Sequence, residues 1–204
     1  SMAALDRVLA EAKPSLFIAL DCGTNSKPEI DRLKAEGVDV IVVDHHTAKE
    51  ARVGCILVNP RVNDAPEAAW QSLCTAGLVF KLVHGLLKVL RLAGDERGTQ
   101  IQVKDYLDLA ALGTIADLVP LVAENRILAA HGLRALGEAR RPGVRALIAV
   151  SGMEPGGVLT SVDVSYRIGP RINAAGRLED MGIGIECLLT DDAGQARGLA
   201  AILQ

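Results

Sequence analysis

The apolar β-branched run Val40-Ile41-Val42-Val43 ends abruptly in one carboxylate and two imidazoles, Asp44-His45-His46. Strands of this composition are built to be buried. Three consecutive proton-carrying or metal-capable side chains at the end of one are costly unless something there uses them. The trio points to a divalent-metal site at the carboxyl edge of a sheet. Asp21 closes a second apolar run, Leu16-Phe17-Ile18-Ala19-Leu20, and Asp117 adds a third acidic group after Gly113-Thr114. Carboxylate oxygen with imidazole nitrogen suits Mn²⁺ and is tolerable for Mg²⁺ or Zn²⁺. A carboxylate bridging two ions roughly 3.5–4 Å apart is the usual device of two-metal phosphoester hydrolysis. For such a centre the chain offers Asp21, His45 and Asp117, with Asp44 and His46 as supporting groups. Plainer roles stand beside these: an Asp at a strand end also forms turns or caps helices. His84 and His131 sit in helical patterns and read as packing or surface residues, and Cys22 as a small core residue rather than a nucleophile.

The elements that must position these groups follow from pattern and punctuation. Leu16–Leu20 and Val38–Val43 read as buried strands, and Cys55–Val58 as a third, ended by Asn59-Pro60. Between the first two, Ser26-Lys27-Pro28-Glu29 combines capping-box spacing with proline in the first turn, and Gly37 supplies the stop. Strand, helix, strand in so short a span makes the strands parallel. Ligands of parallel α/β sheets gather at the carboxyl ends of the strands, so Asp21 and Asp44-His45-His46 are expected to open into one crevice. From residue 64 onward helices dominate: Ala76–Leu92, Asp105–Leu112 running into a Gly113-Thr114 break, Asn125–Ala139 and Pro142–Val150. Gly94–Thr99 reads as a polar turn. From Ser161 the chain is helical with a break forced at Gly169-Pro170. The fold class is therefore α/β, a parallel sheet flanked by helices and followed by a mostly helical segment. We place a core at 1–150 and a helical extension at 151–204.

A second cluster spans Arg167 to Arg177. Arg171 and Arg177 offer bidentate contacts to phosphate, and Asn173 an amide donor; a tight helix junction with solvent-facing arginines is the plain alternative. Half of the 204 residues are apolar and aromatics are 2%, so Leu, Ile, Val and Ala fill the core. The net charge of −3 provides no basic field of the kind that coats duplex DNA. A nucleic-acid partner would be gripped locally, through a few arginines and bound metal. The four cysteines are dispersed without a C-x-x-C pair, which argues against structural zinc and for reduced thiols in the cytoplasm. The apolar stretches are too short or too interrupted to span a bilayer. Ser1-Met2 reads as a cloning remnant and Ala193–Gln204 as an unfinished helix, so the chain is expected to be an excised piece of a longer protein.

Taken in order, these motifs resemble the DHH phosphoesterase family, and within it the RecJ-type branch of single-stranded-DNA exonucleases. Leu20-Asp21-Cys22-Gly23 is similar to the family's second motif, and Asp44-His45-His46 to the one that names it. Ala111–Leu121, through Gly113-Thr114-Ile115-Ala116-Asp117, is similar to the fourth. Gly169-Pro170-Arg171-Ile172-Asn173-Ala174-Ala175-Gly176-Arg177-Leu178 is similar to a segment of the exonuclease branch. The resemblance implies two Mn²⁺ or Mg²⁺ ions bridged by Asp21, with His45 and Asp117 completing one ion's shell. It implies that Asp44 supports that shell and His46 faces the scissile phosphate. Arg171, Asn173 and Arg177 would hold the backbone of single-stranded DNA, hydrolysed from its 5′ end in repair and recombination. A single-strand-binding protein is the partner the resemblance implies. The family's first motif, an Asp-x-Asp pair expected before Asp21, is not found, nor is the glycine-rich second catalytic domain expected after residue 204. The stretch alone is thus expected to bind metal weakly and to turn over little DNA. The same core would also serve a phosphodiesterase for oligoribonucleotides or cyclic dinucleotides, a non-catalytic binding module, or an isolated zinc site.

Overall fold

The computed structural model describes residues 2–49, 54–174, 176 and 182–204. It divides into two compact units, Ser1–Val79 and Phe80–Gln204.

The first unit is built on a parallel sheet. Helix α1 (Met2–Ala12) precedes strand β1 (Leu16–Leu20); α2 (Lys27–Ala35) leads to β2 (Asp39–Val43), and β3 (Ile56–Val58) follows. The order is β1-β2-β3, with Leu20 paired to Val43 and Val43 to Val58. All three strands therefore end level at the same edge. After β3 come the short α3 (Pro60–Asn63) and α4 (Thr75–Leu92), in which the division between units falls. The core packs Leu5, Ile30 and Leu33 of the helices on Val40 and Val42, with Phe17 and Ala19 against them. The opposite face of β1 differs from its expected burial: Leu16, Ile18 and Leu20 are each about half exposed. A run of five apolar residues does not distinguish a strand covered on two faces from one covered on a single face.

Two local expectations are corrected here. Ser26 does precede α2, with proline in the first turn, but its side chain makes no cap hydrogen bond. It enters from a tight turn, Ser26 N–H donating to the Gly23 carbonyl, at φ −102° and ψ 46° rather than in the extended form a capping side chain needs. Cys22 is exposed rather than part of the core, because it lies in the turn after β1.

The second unit is helical: the C-terminal part of α4, α5 (Arg97–Gln100), a 3₁₀ turn at Val103–Tyr106, α6 (Leu107–Ala116), α7 (Ala123–Gly137), α8 (Pro142–Val150), α9 (Ser161–Asp163), α10 (Gly169–Ala174), α11 (Gly182–Leu189) and α12 (Ala193–Ile202). One core joins Ala111 and Ile115 of α6 with Leu136, Leu147, Ile168, Cys187 and Ala200. Residues after 150 thus share a core with α6 to α8.

Three further readings change. Gly94–Thr99 is not all turn, since α5 begins at Arg97. Gly113-Thr114 does not break α6, which runs on to Ala116 with Thr114 fully buried. Gly169-Pro170 does not break its helix either. Val164–Ile168 forms a π segment in which Gly169 N–H donates to the Val164 carbonyl five residues back. The wider turn absorbs the proline, which has no N–H to give.

Candidate metal centre

The carboxyl edge of the sheet collects the polar residues of the first unit. Asp21 follows β1 directly, and its N–H still donates to the Val43 carbonyl across the strands. Its φ of +63° is a left-handed conformation that Asp adopts more readily than most residues, at some cost in strain. Gly23, at φ +112°, lets the chain turn down beside β2: a Cβ there would lie 3.0 Å from Val42 Cγ2. This sharp double turn swings the Asp21 carboxylate toward the end of β2, with Oδ1 3.4 Å from His45 Nε2. One ligand atom each from Asp21, His45 and His46 lies within 4.8 Å of the others. Donors on opposite sides of one small divalent ion are about 4.2 Å apart, so the group is close to the size one ion requires.

Asp44 lies behind this group, 1% exposed. Its Oδ1 accepts from the backbone N–H of His45 (2.8 Å) and of His46 (3.2 Å) and lies 2.6 Å from His46 Nδ1. Its Oδ2 accepts from Thr24 N–H at 3.1 Å. Burial pushes this carboxyl up, but the hydrogen bonds from Thr24 and His46 outweigh it and hold the group down at about 2. Asp44 is thus a fixed anion that orients the His46 ring and both backbone amides. His45 is buried at 7% exposure, whereas Asp21 and the His46 ring reach solvent. The cleft above them, about 490 Å³, is also bordered by Cys22, Asn25 and Arg61. Burial, with Asp44 and Asp21 nearby, pushes the Cys22 thiol up, which disfavours a nucleophilic thiolate.

Asp117 belongs to the second unit. It caps the C-terminus of α6, its N–H donating to the Gly113 carbonyl, and Leu118 after it, left-handed at φ +57°, donates its N–H to the Ile115 carbonyl. Within this unit the arginine-bearing segment packs beside the same helix end: Gly169 is so close that a Cβ would sit 3.3 Å from Ala116 Cβ, and Ser165 Oγ donates to the Ile115 carbonyl. Arg171 Nη1 donates to the Arg167 carbonyl at 2.6 Å, and its Nε is buried without a hydrogen-bond partner. Asn173 is exposed. Arg177 lies outside the described residues. His84 and His131 are both exposed.

Sequence reasoning missed Thr24, Asn59 and Arg61. The signal for Asn59 was available: it follows β3 as Asp21 follows β1 and Asp44 follows β2. Its pairing with proline reads as a strand stop, which hides the polar side chain.

Residues 2–114 match the family model described as the DHH family, N-terminal domain, and the chain belongs to that family. Over 193 residues it is 40% identical to the single-stranded-DNA-specific exonuclease RecJ of Dickeya dadantii (strain 3937), a match covering 92% of this chain and 33% of that protein. The fold is similar to a crystal structure of exonuclease RecJ bound to manganese, with a TM-score of 0.82 and 34% identity, covering 100% of this chain and 48% of the other. It is also similar to RecJ from Thermus thermophilus in complex with Mn²⁺, with a TM-score of 0.81 and 35% identity, covering 100% of this chain and 29% of the other. The chain spans about a third of the length of the curated RecJ proteins of Dickeya dadantii, Salmonella typhimurium and Escherichia coli that it matches.

Proposed function

We propose that this chain contributes the metal-binding core of a metal-dependent exonuclease that hydrolyses single-stranded DNA from the 5′ end, in repair and recombination. The observation that carries the proposal is the Asp21–His45–His46 group at the carboxyl edge of a parallel sheet, backed by the buried Asp44 anion. Carboxylate oxygen with the His45 imidazole nitrogen is a donor set that fits Mn²⁺, with Mg²⁺ as the harder alternative. Asp21 and His45 would hold the ion together with Asp117, and in the whole protein Asp21 would bridge to a second. The metal, when bound, supplies a hydroxide nucleophile near neutral pH and stabilises charge on the phosphoryl oxygens.

The chain's own residues do the rest. Asp44 orients His46 through Nδ1 and leaves the opposite ring nitrogen for the scissile phosphate. The Asp21 turn keeps its carboxylate at the cleft. Arg171, Asn173 and Arg177 would hold the DNA backbone. The core at 1–150 and the helical segment at 151–204 belong to this same proposal, as do a cytoplasmic location and a single-strand-binding protein as partner. Among the described residues no helix is long and apolar enough to cross a membrane.

The test is degradation of long single-stranded DNA by the full-length protein, with Mn²⁺, with Mg²⁺ and with chelator. Metal-dependent release of mononucleotides from the 5′ end is the expected result. Turnover of dinucleotides alone would overturn the substrate assignment, and activity unchanged by chelator would overturn the metal.

A further inference from the structure

We infer that Asn59 is a positioning residue for the metal centre: its buried carboxamide ties together the loops that leave all three strands. The inference rests on the metal reading of Asp21 and His45. Asn59 is 1% exposed and follows β3 at the same edge where Asp21 and Asp44 follow β1 and β2. Its Nδ2 donates twice, to Thr24 Oγ1 and to the His46 carbonyl, each at 2.9 Å. Its Oδ1 accepts from Arg61 N–H at 3.0 Å, and its own N–H donates to Asn63 Oδ1 at 2.9 Å. Both side-chain donors are therefore used, and the acceptor is engaged.

The two Nδ2 bonds reach the centre through two different loops, those that follow β1 and β2. Thr24, itself 1% exposed, passes its backbone N–H on to Asp44 Oδ2, and Asp44 Oδ1 takes the amides of His45 and His46. The bond to the His46 carbonyl holds the far end of the same short loop. The peptide units that aim both imidazoles are thus held by Asp44 at their amides and by Asn59 at the His46 carbonyl, while Asn59 touches no candidate ligand atom. A second brace, Asn25 on the Thr47 carbonyl and on Lys49 N–H, grips the loop further along but is exposed to water. In a water-excluded position a bond lost is not replaced by solvent, so the buried brace is the one that sets the geometry.

The chemistry requires a carboxamide. Aspartate there would turn an oxygen toward the His46 carbonyl, acceptor against acceptor. Leucine would leave the Thr24 hydroxyl, the His46 carbonyl and Arg61 N–H without this partner.

The experiment uses the full-length protein and Mn²⁺ alone, followed by electron paramagnetic resonance of free and bound ion. Asn59→Asp and Asn59→Leu are expected to lose roughly 10–100-fold in Mn²⁺ affinity, as partners behind a ligand do. Thr24→Val, which removes one arm of the clamp, is expected to lose a few-fold. Ile30→Ala, a cavity in the same unit's core, is the control: it lowers the melting temperature and leaves affinity within about two-fold. In the unsubstituted protein the Asn59 carboxamide protons are expected to exchange with solvent far more slowly than those of Asn25, a readout that needs no variant to fold. Wild-type Mn²⁺ affinity in a folded Asn59 variant, or exchange at Asn59 as fast as at Asn25, would overturn the inference and leave the metal reading intact. Failure of the wild-type protein to bind Mn²⁺ would overturn the metal reading first and this inference with it.

Discussion

The two units hold their candidate ligands by different physical means. In the first, Asp44, His45 and His46 are fixed by hydrogen bonds from side chains to backbone amides and carbonyls, through Asp44, Thr24 and Asn59. In the second, Asp117 is fixed as the cap of a helix whose end is wedged by small residues, Gly169 against Ala116. Both pay for their geometry in a left-handed residue, Asp21 itself in one and Leu118 beside Asp117 in the other. The first unit should therefore be sensitive to single polar substitutions, and the second to added volume.

The largest expected effects test whether the units act on one reaction. Asp21→Ala and Asp117→Ala should each lower kcat of the full-length nuclease by at least about 10²–10³-fold, with the melting temperature little changed. A double variant no worse than either single one would show that the two carboxylates serve one centre; multiplied losses would separate them. Asp21→Gly sharpens the same comparison. It removes left-handed strain of about 1–2 kcal/mol against about 0.4–1 kcal/mol of added unfolded-chain freedom. Activity should vanish while denaturant midpoints hold or rise slightly, marking the strain as functional.

Volume in the second unit comes next. A Cβ on Gly143 would meet the Cys187 carbonyl oxygen at 1.7 Å, so Gly143→Ala must push α8 and α11 apart. It should cost roughly 1–3 kcal/mol in urea unfolding. If the units unfold separately, the loss falls on the transition of residues 80–204 alone.

A smaller effect concerns DNA. Arg171→Ala should weaken single-stranded DNA binding by about 1 kcal/mol and reduce the slope of log affinity against log salt by about 0.7. An unchanged slope would remove Arg171 from the phosphate contacts.

The smallest effect appears only in acid. Asp44 ionises at about 2, below its ordinary 3.8, so it contributes stability that is fully present above 3.8 and is lost as pH falls through about 2. In metal-free protein, Asp44→Asn should flatten the fall of melting temperature across that window and change its slope little above pH 5.

Local pattern was enough to find much of this molecule. Three apolar runs bounded by turn residues became β1, β2 and β3, and the short helical crossover made the first two parallel. With β1 and β2 adjacent and ending level, Asp21 had to stand beside Asp44, His45 and His46. Period, propensity and chain length act over a few residues, so they can be read directly from the chain.

What the tertiary structure alone decided depends on partners far apart in sequence. The exposed face of β1 reflects which elements cover the sheet, not the composition of the strand. The Ser26 cap yielded to a turn from Gly23, while Thr160 and Asp163 formed a capping box that the pattern had not singled out. Continuity through Gly113 and Gly169-Pro170 depends on burial against other helices and on a π turn that absorbs the proline. The clamp from Asn59 to Thr24 joins residues 35 apart in the chain. A lone asparagine after a strand acquires its meaning only when folding excludes water from it and leaves two neighbouring loops to receive its protons.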